Sequence, residues 1–538
     1  MDASSSSSLH SNPNSDQEAF TSSSFLNSST TSTSTSTPSS SDFSPPSSIL
    51  IIGSGVFGLS TAYALTSRHV FSNTSITVVD RASAPSTDTS SPPTPVFPAR
   101  DASSIDTSRI IRGDYADPAY AALATSALRA WRKADSPDAL GAQGRYSESG
   151  LVLVADDGDG PETLEKLTSP SSAAADVGAS LLEQHNAKKT GLDYVRASWE
   201  NAVALGAQDP ELASRIRLLP DADAIREAVG TGGSSGSRGY INGYAGWADA
   251  EKSMAWLYER VRRTGRVTFV SGTVASLEHA DDTVTGAKLD DGRTLSADLV
   301  ILATGAWTAS LLDLSGQATA TGQVVAYMDI TPQEQSQLSK MPVLLNLTTG
   351  LFIIPPSNNV LKVARHAYGY LNPVPATTTP LSPSSSPATP QKTISSYPRT
   401  NLTTPQAHTI PAEGLAALRS ALRQMLPSHP QLHARPFSAT RLCWYTDTPT
   451  GDFIITYHPH FRGLFVATGG SGHGFKFLPV LGEKIVDAVE GRTPGEFVDK
   501  WAWKEGRGGG GEVVATEDGS RGGTPGLVLE EELGRRVD

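Results

Sequence analysis

The chain has 538 residues, enough for two or more domains around a sizeable core. Its 43 basic and 55 acidic residues leave a net charge of −12, which provides no basic excess for binding a nucleic-acid backbone. A single cysteine, Cys443, excludes an internal disulfide and fits a reducing compartment.

Residues 1–47 form a Ser/Thr/Pro-rich tract that cannot bury enough apolar surface to order itself, and they read as a disordered tail. No Lys or Arg precedes Arg68, so a secretion signal and an arginine-rich presequence are both unexpected. The terminal Arg-Val-Asp is not a peroxisomal tripeptide, and the expectation is a cytoplasmic protein. The apolar span 48–65 carries glycines, serines and Tyr63, which suit a strand–turn–helix better than a membrane crossing.

The β run Ile49-Leu50-Ile51-Ile52 leads into Gly53-Ser54-Gly55-Val56-Phe57-Gly58 and a helical pattern to about Ser67. A second β run, residues 76–79, ends at Asp80, 22 residues beyond Gly58. In that context the glycines form a dinucleotide fingerprint. Gly53 permits the tight turn, Gly55 lets the backbone approach a pyrophosphate, and Gly58 lets helix and strand pack closely. The helix opening at Val56 and Phe57 offers amides to the phosphates, and Asp80, followed by Arg81, can accept from ribose hydroxyls.

Residues 82–98 read as a loop. Asp117-Pro118 opens a helix whose buried stripe is Leu123, Ala127, Leu128 and Trp131. The α/β layer returns at 266–270, 274–277 and 298–303, the last running into Thr304-Gly305-Ala306-Trp307. An Ala-Thr-Gly turn after a strand is typical of flavoproteins, which favours FAD over NAD and adds Gly305 to the expected cofactor set, where Val274 is also expected. Strands are expected at 324–330, 343–347, 352–354 and 360–364, and a Pro/Ser/Thr-rich surface insertion at 373–408. The strand 463–468 feeds a glycine cluster, and a helix with Leu481, Ile485 and Val489 on one face follows. The Gly-rich end, 506–538, reads as a flexible tail.

The expected fold is α/β and two-lobed (α+β in its layering). A discontinuous glutathione-reductase-like FAD-binding Rossmann domain takes 48–145, 246–310 and 436–492. A β-sheet-rich substrate domain takes 146–245 and 311–435. His458-Pro459-His460 lacks further ligands and reads as a turn, so no metal site is expected.

Four ordered motifs carry a resemblance: Gly53 to Gly58; Ser108-Arg109-Ile110-Ile111-Arg112; Leu361-Lys362-Val363-Ala364-Arg365-His366; and Cys443-Trp444-Tyr445-Thr446 paired with Ser471-Gly472-His473-Gly474-Phe475-Lys476. From Ile49 to about Arg492 the chain resembles the amine oxidases related to monomeric sarcosine oxidase. These include N-methyltryptophan, pipecolate and saccharopine oxidases and the fungal fructosyl amino acid oxidases. The resemblance implies an FAD enzyme oxidising a C–N bond and reducing O2 to hydrogen peroxide. It implies that Cys443 joins the flavin 8α-methyl through sulfur, that Lys362 promotes the reaction with oxygen, and that Arg109 lies over the flavin ring. It further implies that Arg112 and Lys476 grip a substrate carboxylate, that His366 and Tyr445 line the pocket, and that Ser108, Gly472, Gly474 and Lys476 belong to the cofactor environment.

Strand alternation puts Lys362, Ala364 and His366 on one face and Leu361, Val363 and Arg365 on the other, without settling which faces are buried. The chain departs from the family at Ile105, where sarcosine oxidase carries a histidine. Ser108-Arg109 replaces the lysine form of the fructosyl enzymes, which favours a plain secondary amino acid over a sugar amine. Phe352, Ile353 and Ile354 suggest an apolar pocket wall. A small amine or amino acid and O2 are the expected partners of a monomer bound to neither membrane nor nucleic acid. A flavin dehydrogenase, a tailoring oxidase of secondary metabolism and an inactive flavin-binding scaffold remain open readings.

Overall fold

The computed structural model describes residues 43–81, 97–157, 189–376, 380–383, 393–400, 410–505 and 513–535. Outside them lie the expected tail up to residue 42, the loop residues 82–96, and 377–379, 384–392 and 401–408 of the expected insertion. Residues 506–512 and 536–538 of the expected C-terminal tail also lie outside.

Short runs of Ile, Leu and Val without charges make parallel strands that are buried on both faces. Six strands form one sheet in the order Ile454–Tyr457, Leu464–Thr468, Leu299–Leu302, Ser48–Ile52, Ser75–Asp80 and Val267–Ser271. All neighbours are parallel except the first pair. Register is set at the centre by Ile49 opposite both Leu299 and Ile76. The helices Val56–Ser67 and Leu478–Val489 cover one face, and they approach so closely that a Cβ at Gly482 would sit 2.0 Å from the Ser60 carbonyl. The other face is covered by the antiparallel strands Val274–Ala280, Thr283–Leu289 and Thr294–Ser296. The helix Pro118–Trp131 starts as its sequence predicts, with the Asp117 side chain accepting from the Tyr120 amide.

A second, larger sheet is built around Thr319–Asp329, which pairs with both Val360–Arg365 and Ala439–Asp447. Strands Leu351–Ser357, Val343–Asn346, Leu151–Ala155, Arg238–Asn242 and Ile216–Leu219 extend it. The strand Ala439–Asp447, expected in the nucleotide domain, therefore belongs to this sheet. Nine cross-strand pairs with Thr319–Asp329 outweigh its sequence proximity to the nucleotide strands. No helix among the described residues is long and apolar enough to cross a membrane.

Three loop expectations are corrected. Residues 43–47 are ordered, with Phe43 against Phe71 and the Ser47 carbonyl accepting from the Ser75 amide. The described part of the 373–408 insertion is not simply a surface feature. Ser396 is buried, the Arg399 carbonyl accepts from Trp444 Nε1, and Thr400 donates to Asp101. Residues 513–535 are packed rather than a free tail: Leu527–Val528 pairs with Tyr370–Leu371, Leu529 is fully buried, and Arg521 is ion-paired inside the protein. Glycine-rich composition signalled mobility, but long-range contacts hold this segment.

Candidate active site

The carboxyl ends of the parallel strands open on a cavity of about 530 Å³, within the range of a cofactor site. Gly53, Gly55, Val56 and Phe57 line one wall, Asp80, Arg81 and Val274 another, and Thr304, Gly305 and Trp307 a third. Gly53 adopts φ +102°, and a Cβ there would lie 2.5 Å from the Ala303 carbonyl oxygen. At Gly58 a Cβ would meet the Gly53 carbonyl oxygen at 1.8 Å, so both residues are dictated by the fold itself. Gly55 is different. Its Cβ would find no protein atom closer than Ser104 Oγ at 4.0 Å, and one at Gly305 would find nothing within 4 Å. The left-handed φ of +53° at Gly305 explains its glycine, but neither packing nor backbone requires Gly55 to be small, whereas a cofactor lying against the backbone does. The residues therefore fit a dinucleotide.

Asp80 is held by the Ser54 amide (2.8 Å) and hydroxyl (2.6 Å) on one oxygen and by the Arg81 amide (2.7 Å) on the other. Burial raises its pKa above the ordinary carboxylate value, against the pull of Ser54 and Arg81. The Arg81 guanidinium stacks 4.5 Å over Trp307 and pairs with Asp101. Tyr397, from the segment expected to be an insertion, also lines this cavity.

Cross-strand register brings the next group together. Tyr327 lies opposite Lys362, Val325 opposite Arg441, Gln323 opposite Cys443, and Thr321 opposite Tyr445. Residues paired this way project from one face, so Tyr327, Lys362, Arg441, Cys443 and Tyr445 share it. Both faces of the Lys362 strand are buried, which settles what alternation left open. Lys362 Nζ donates to Asp106 Oδ2 at 2.7 Å and to the Ser108 carbonyl at 2.6 Å. Asp106 also accepts from Arg109 and from the Tyr327 hydroxyl (2.7 Å). Burial pushes the Asp106 carboxyl up, but Arg109, Lys362 and Arg441 together hold it well below its ordinary value. Burial brings Lys362 down to about 8, partly offset by Asp106. Arg109 Nη2 lies 3.3 Å from Cys443 Sγ and lines the cavity, as do Trp444 and Tyr445.

A third group lies beyond Tyr445. Arg112 is buried over the Tyr115 ring (4.9 Å), and its Nη1 has no hydrogen-bond partner among the described residues. Lys476 Nζ donates to Tyr115 Oη (2.8 Å) and to the His473 carbonyl (3.1 Å), with no carboxylate in ion-pair range among the described residues. Burial, Arg112 and Arg521 hold the Lys476 ammonium well below its ordinary value, against the pull of Asp114. Asp114 itself is occupied by Tyr240 (2.8 Å) and Asn242 (3.0 Å). His366 Nδ1 lies 3.4 Å from Tyr445 Oη, and burial with Arg521, Arg112, Lys476 and His473 keeps its pKa well below the ordinary value.

The cavity is thus lined by Gly53, Gly55, Val56, Phe57, Asp80 and Arg81, and by Arg109, Val274, Gly305, Tyr445, Gly472 and Gly474. Cys443, Ser108, Lys362, Arg112, His366 and Lys476 form its surroundings, and Gly58 serves packing. Sequence reasoning passed over Asp106, Tyr327, Arg441, Tyr115 and Arg521. Asp106 stands just before Ser108-Arg109, and Arg441 is two residues before Cys443 on the same strand face, so alternation offered a signal for it. His458-Pro459-His460 is a turn in which His458 Nδ1 accepts from the His460 amide, and no metal cluster occurs among the described residues.

The family model described as FAD-dependent oxidoreductase (DAO) matches residues 48–488. Amino acid oxidase imqH of Aspergillus flavus is 33% identical over 479 residues, spanning 82% of this chain and 93% of the relative. The L-saccharopine oxidase of Schizosaccharomyces pombe is 28% identical over 470 residues, spanning 85% and 93%. A modified fructosyl peptide oxidase from Aspergillus nidulans superposes with a TM-score of 0.68 at 25% identity, covering 91% of this chain and 99% of that one.

Proposed function

This chain belongs to the DAO family of FAD-dependent oxidoreductases, and we propose that it oxidises secondary amines borne by N-substituted amino acids. The reaction converts the substrate C–N bond to an imine, which water hydrolyses, and delivers the two electrons to O2 as hydrogen peroxide. One observation carries this reading: Arg112 and Lys476 are both buried beside the cavity without a carboxylate of their own. Burying unpaired cations costs several kcal/mol per ion, roughly what a ligand carboxylate offsets through charge-assisted hydrogen bonds. Burial and the neighbouring cations Arg112 and Arg521 hold the Lys476 ammonium well below its ordinary value, and an arriving carboxylate would favour its charged form.

When bound, FAD supplies the hydride acceptor and the electron relay to oxygen. The backbone at Gly55 and Gly305 would hold it, and Cys443 is the residue whose sulfur would tether it. Arg112 and Lys476 orient the substrate by its carboxylate, and the uncharged His366 adds no further positive charge beside the substrate amine. Lys362, kept beside Arg109 by Asp106, provides the positive charge that favours oxygen reduction. The relatedness to an L-saccharopine oxidase supports an amino acid with a substituted nitrogen, and Arg109 in place of lysine supports a plain secondary amino acid.

The test is a peroxide assay with N-methyl amino acids, pipecolate, saccharopine and fructosyl amino acids, run beside anaerobic flavin bleaching. At least one compound is expected to bleach the flavin and to yield peroxide in proportion to oxygen consumed. Bleaching without oxygen consumption would make the protein a dehydrogenase, and no bleaching by any compound would end the amine-oxidase reading.

A further inference from the structure

The glycine-rich segment after residue 512 enters the site itself. Val514 N donates to Thr319 Oγ1 (3.0 Å), Glu517 N to the Pro449 carbonyl (2.9 Å), and Thr516 Oγ1 to the Thr448 carbonyl (2.8 Å). Further on, Tyr368 N donates to the Gly522 carbonyl (3.1 Å). A Cβ at Gly522 would lie 2.3 Å from the Thr349 carbonyl carbon, so the backbone there is pressed against the sheet. The segment is a strap running from the end of Ala439–Asp447 to the end of Val360–Arg365.

Arg521 is the side chain this strap delivers, with only 1% of it exposed. Nη2 donates to Asp447 Oδ1 (2.6 Å) and to the Ser471 carbonyl (2.8 Å). Nη1 lies 2.9 Å from His366 Nδ1 and 3.1 Å from Nε2, and the guanidinium sits 5.2 Å from the Tyr445 ring centroid. One planar cation therefore ties together three segments of the site: the end of the Lys362 strand, the end of the Cys443 strand, and the turn leading to Lys476.

We propose that Arg521 is a positioning residue of the active site, fixing the His366 ring against Tyr445 and joining it to the Ser471–Lys476 turn. This rests on the amine-oxidase reading only for its kinetic consequence. A guanidinium is always charged and only donates, so His366 beside it is an acceptor. The other groups facing His366 are Arg112, Lys476 and His473, all of which disfavour its protonation, and the Tyr445 hydroxyl. The ring thus stays neutral beside the substrate when the pH falls, with its one lone pair engaged by Arg521. Asp447, the strap's anchor, is buried and satisfied by Arg521 and the Thr321 hydroxyl (2.6 Å).

The test compares holoenzyme carrying Arg521→Met, Arg521→Lys or no substitution. Histidine labelled at ring carbon Cε1 is followed by NMR as pH is lowered, and His366→Asn assigns the signal. Wild-type His366 is expected to remain neutral to lower pH than in Arg521→Met, with Arg521→Lys between the two. The kinetic expectation is that kcat/KM of Arg521→Met falls about tenfold more than that of wild type between about pH 8 and about pH 6, the range in which histidine ordinarily titrates. Identical His366 titration in wild type and Arg521→Met overturns the proposal, even if the variant is less active. A shifted titration with an unchanged kinetic profile in a working enzyme overturns it as well. If wild type oxidises no amine, the NMR comparison still decides whether Arg521 controls His366.

Discussion

Replacing Asp106 with asparagine tests the charge network directly. The carboxylate is fully buried and serves Lys362, Arg109 and Tyr327 at once. Asparagine keeps the shape and removes the charge, leaving Lys362, Arg109 and Arg441 without their shared counterion. Breaking one partner of a buried ion pair costs about 3–5 kcal/mol. For roughly 400 ordered residues at about 2 cal/mol/K each, unfolding entropy is near 1 kcal/mol/K, so Tm is expected to fall by about 3–5 °C. The pH dependence carries a second signature. Lys362 is lowered from 10.5 to about 8, so its buried charge weakens the fold by about 3 kcal/mol below that value. The unfolded chain binds the extra proton between about 8 and 10.5, so stability from this group rises with pH across that window. Asparagine removes the strongest influence holding the lysine up, and the window extends to lower pH. Thermal melts across pH read both effects, and the double variant with Lys362→Met is expected to lose less than the two single losses combined. A variant melting within about 1 °C of wild type, with an unchanged pH profile, would refute the idea that Asp106 balances these cations.

The other expectations are briefer. Acid-precipitated wild-type protein stays yellow while Cys443→Ser releases its flavin to the supernatant; a colourless wild-type pellet would return Cys443 to a small core residue. Arg112→Met and Lys476→Met each weaken binding of a carboxylate inhibitor by about tenfold to a hundredfold, the worth of a charge-assisted hydrogen bond, measured by flavin difference spectra. Equal weakening for an amine lacking the carboxylate would count against that pairing. Gly55→Ala keeps the melting temperature of the flavin-free protein but loses flavin affinity, whereas Gly58→Ala, with its 1.8 Å collision, does not yield folded protein. Flavin content and circular dichroism distinguish the two, and a Gly55 variant with full flavin would show that no cofactor presses on that backbone.

Much of this protein was legible in the chain because the relevant physics is local. An apolar β run, three glycines at fixed spacing and an acidic residue closing the next strand are what a backbone needs to turn, admit a pyrophosphate and reach a ribose, and all lie between Ile49 and Asp80. Alternation likewise put Lys362 and Ala364 on one face before any strand partner was known. What only tertiary structure decided depends on register and on long-range pairing. Asp106 lies 256 residues from Lys362 and 221 from Tyr327, and nothing in its neighbours announces that it is their common anion. The strand carrying Cys443 joined the larger sheet because its partner, Thr319–Asp329, matches it along its full length. The C-terminal strap is the clearest case. Glycine-rich composition measures how much conformational freedom a segment has to lose, and by that measure 513–535 reads as mobile. It is ordered because Arg521 finds Asp447, Ser471 and His366, contacts that no local propensity encodes.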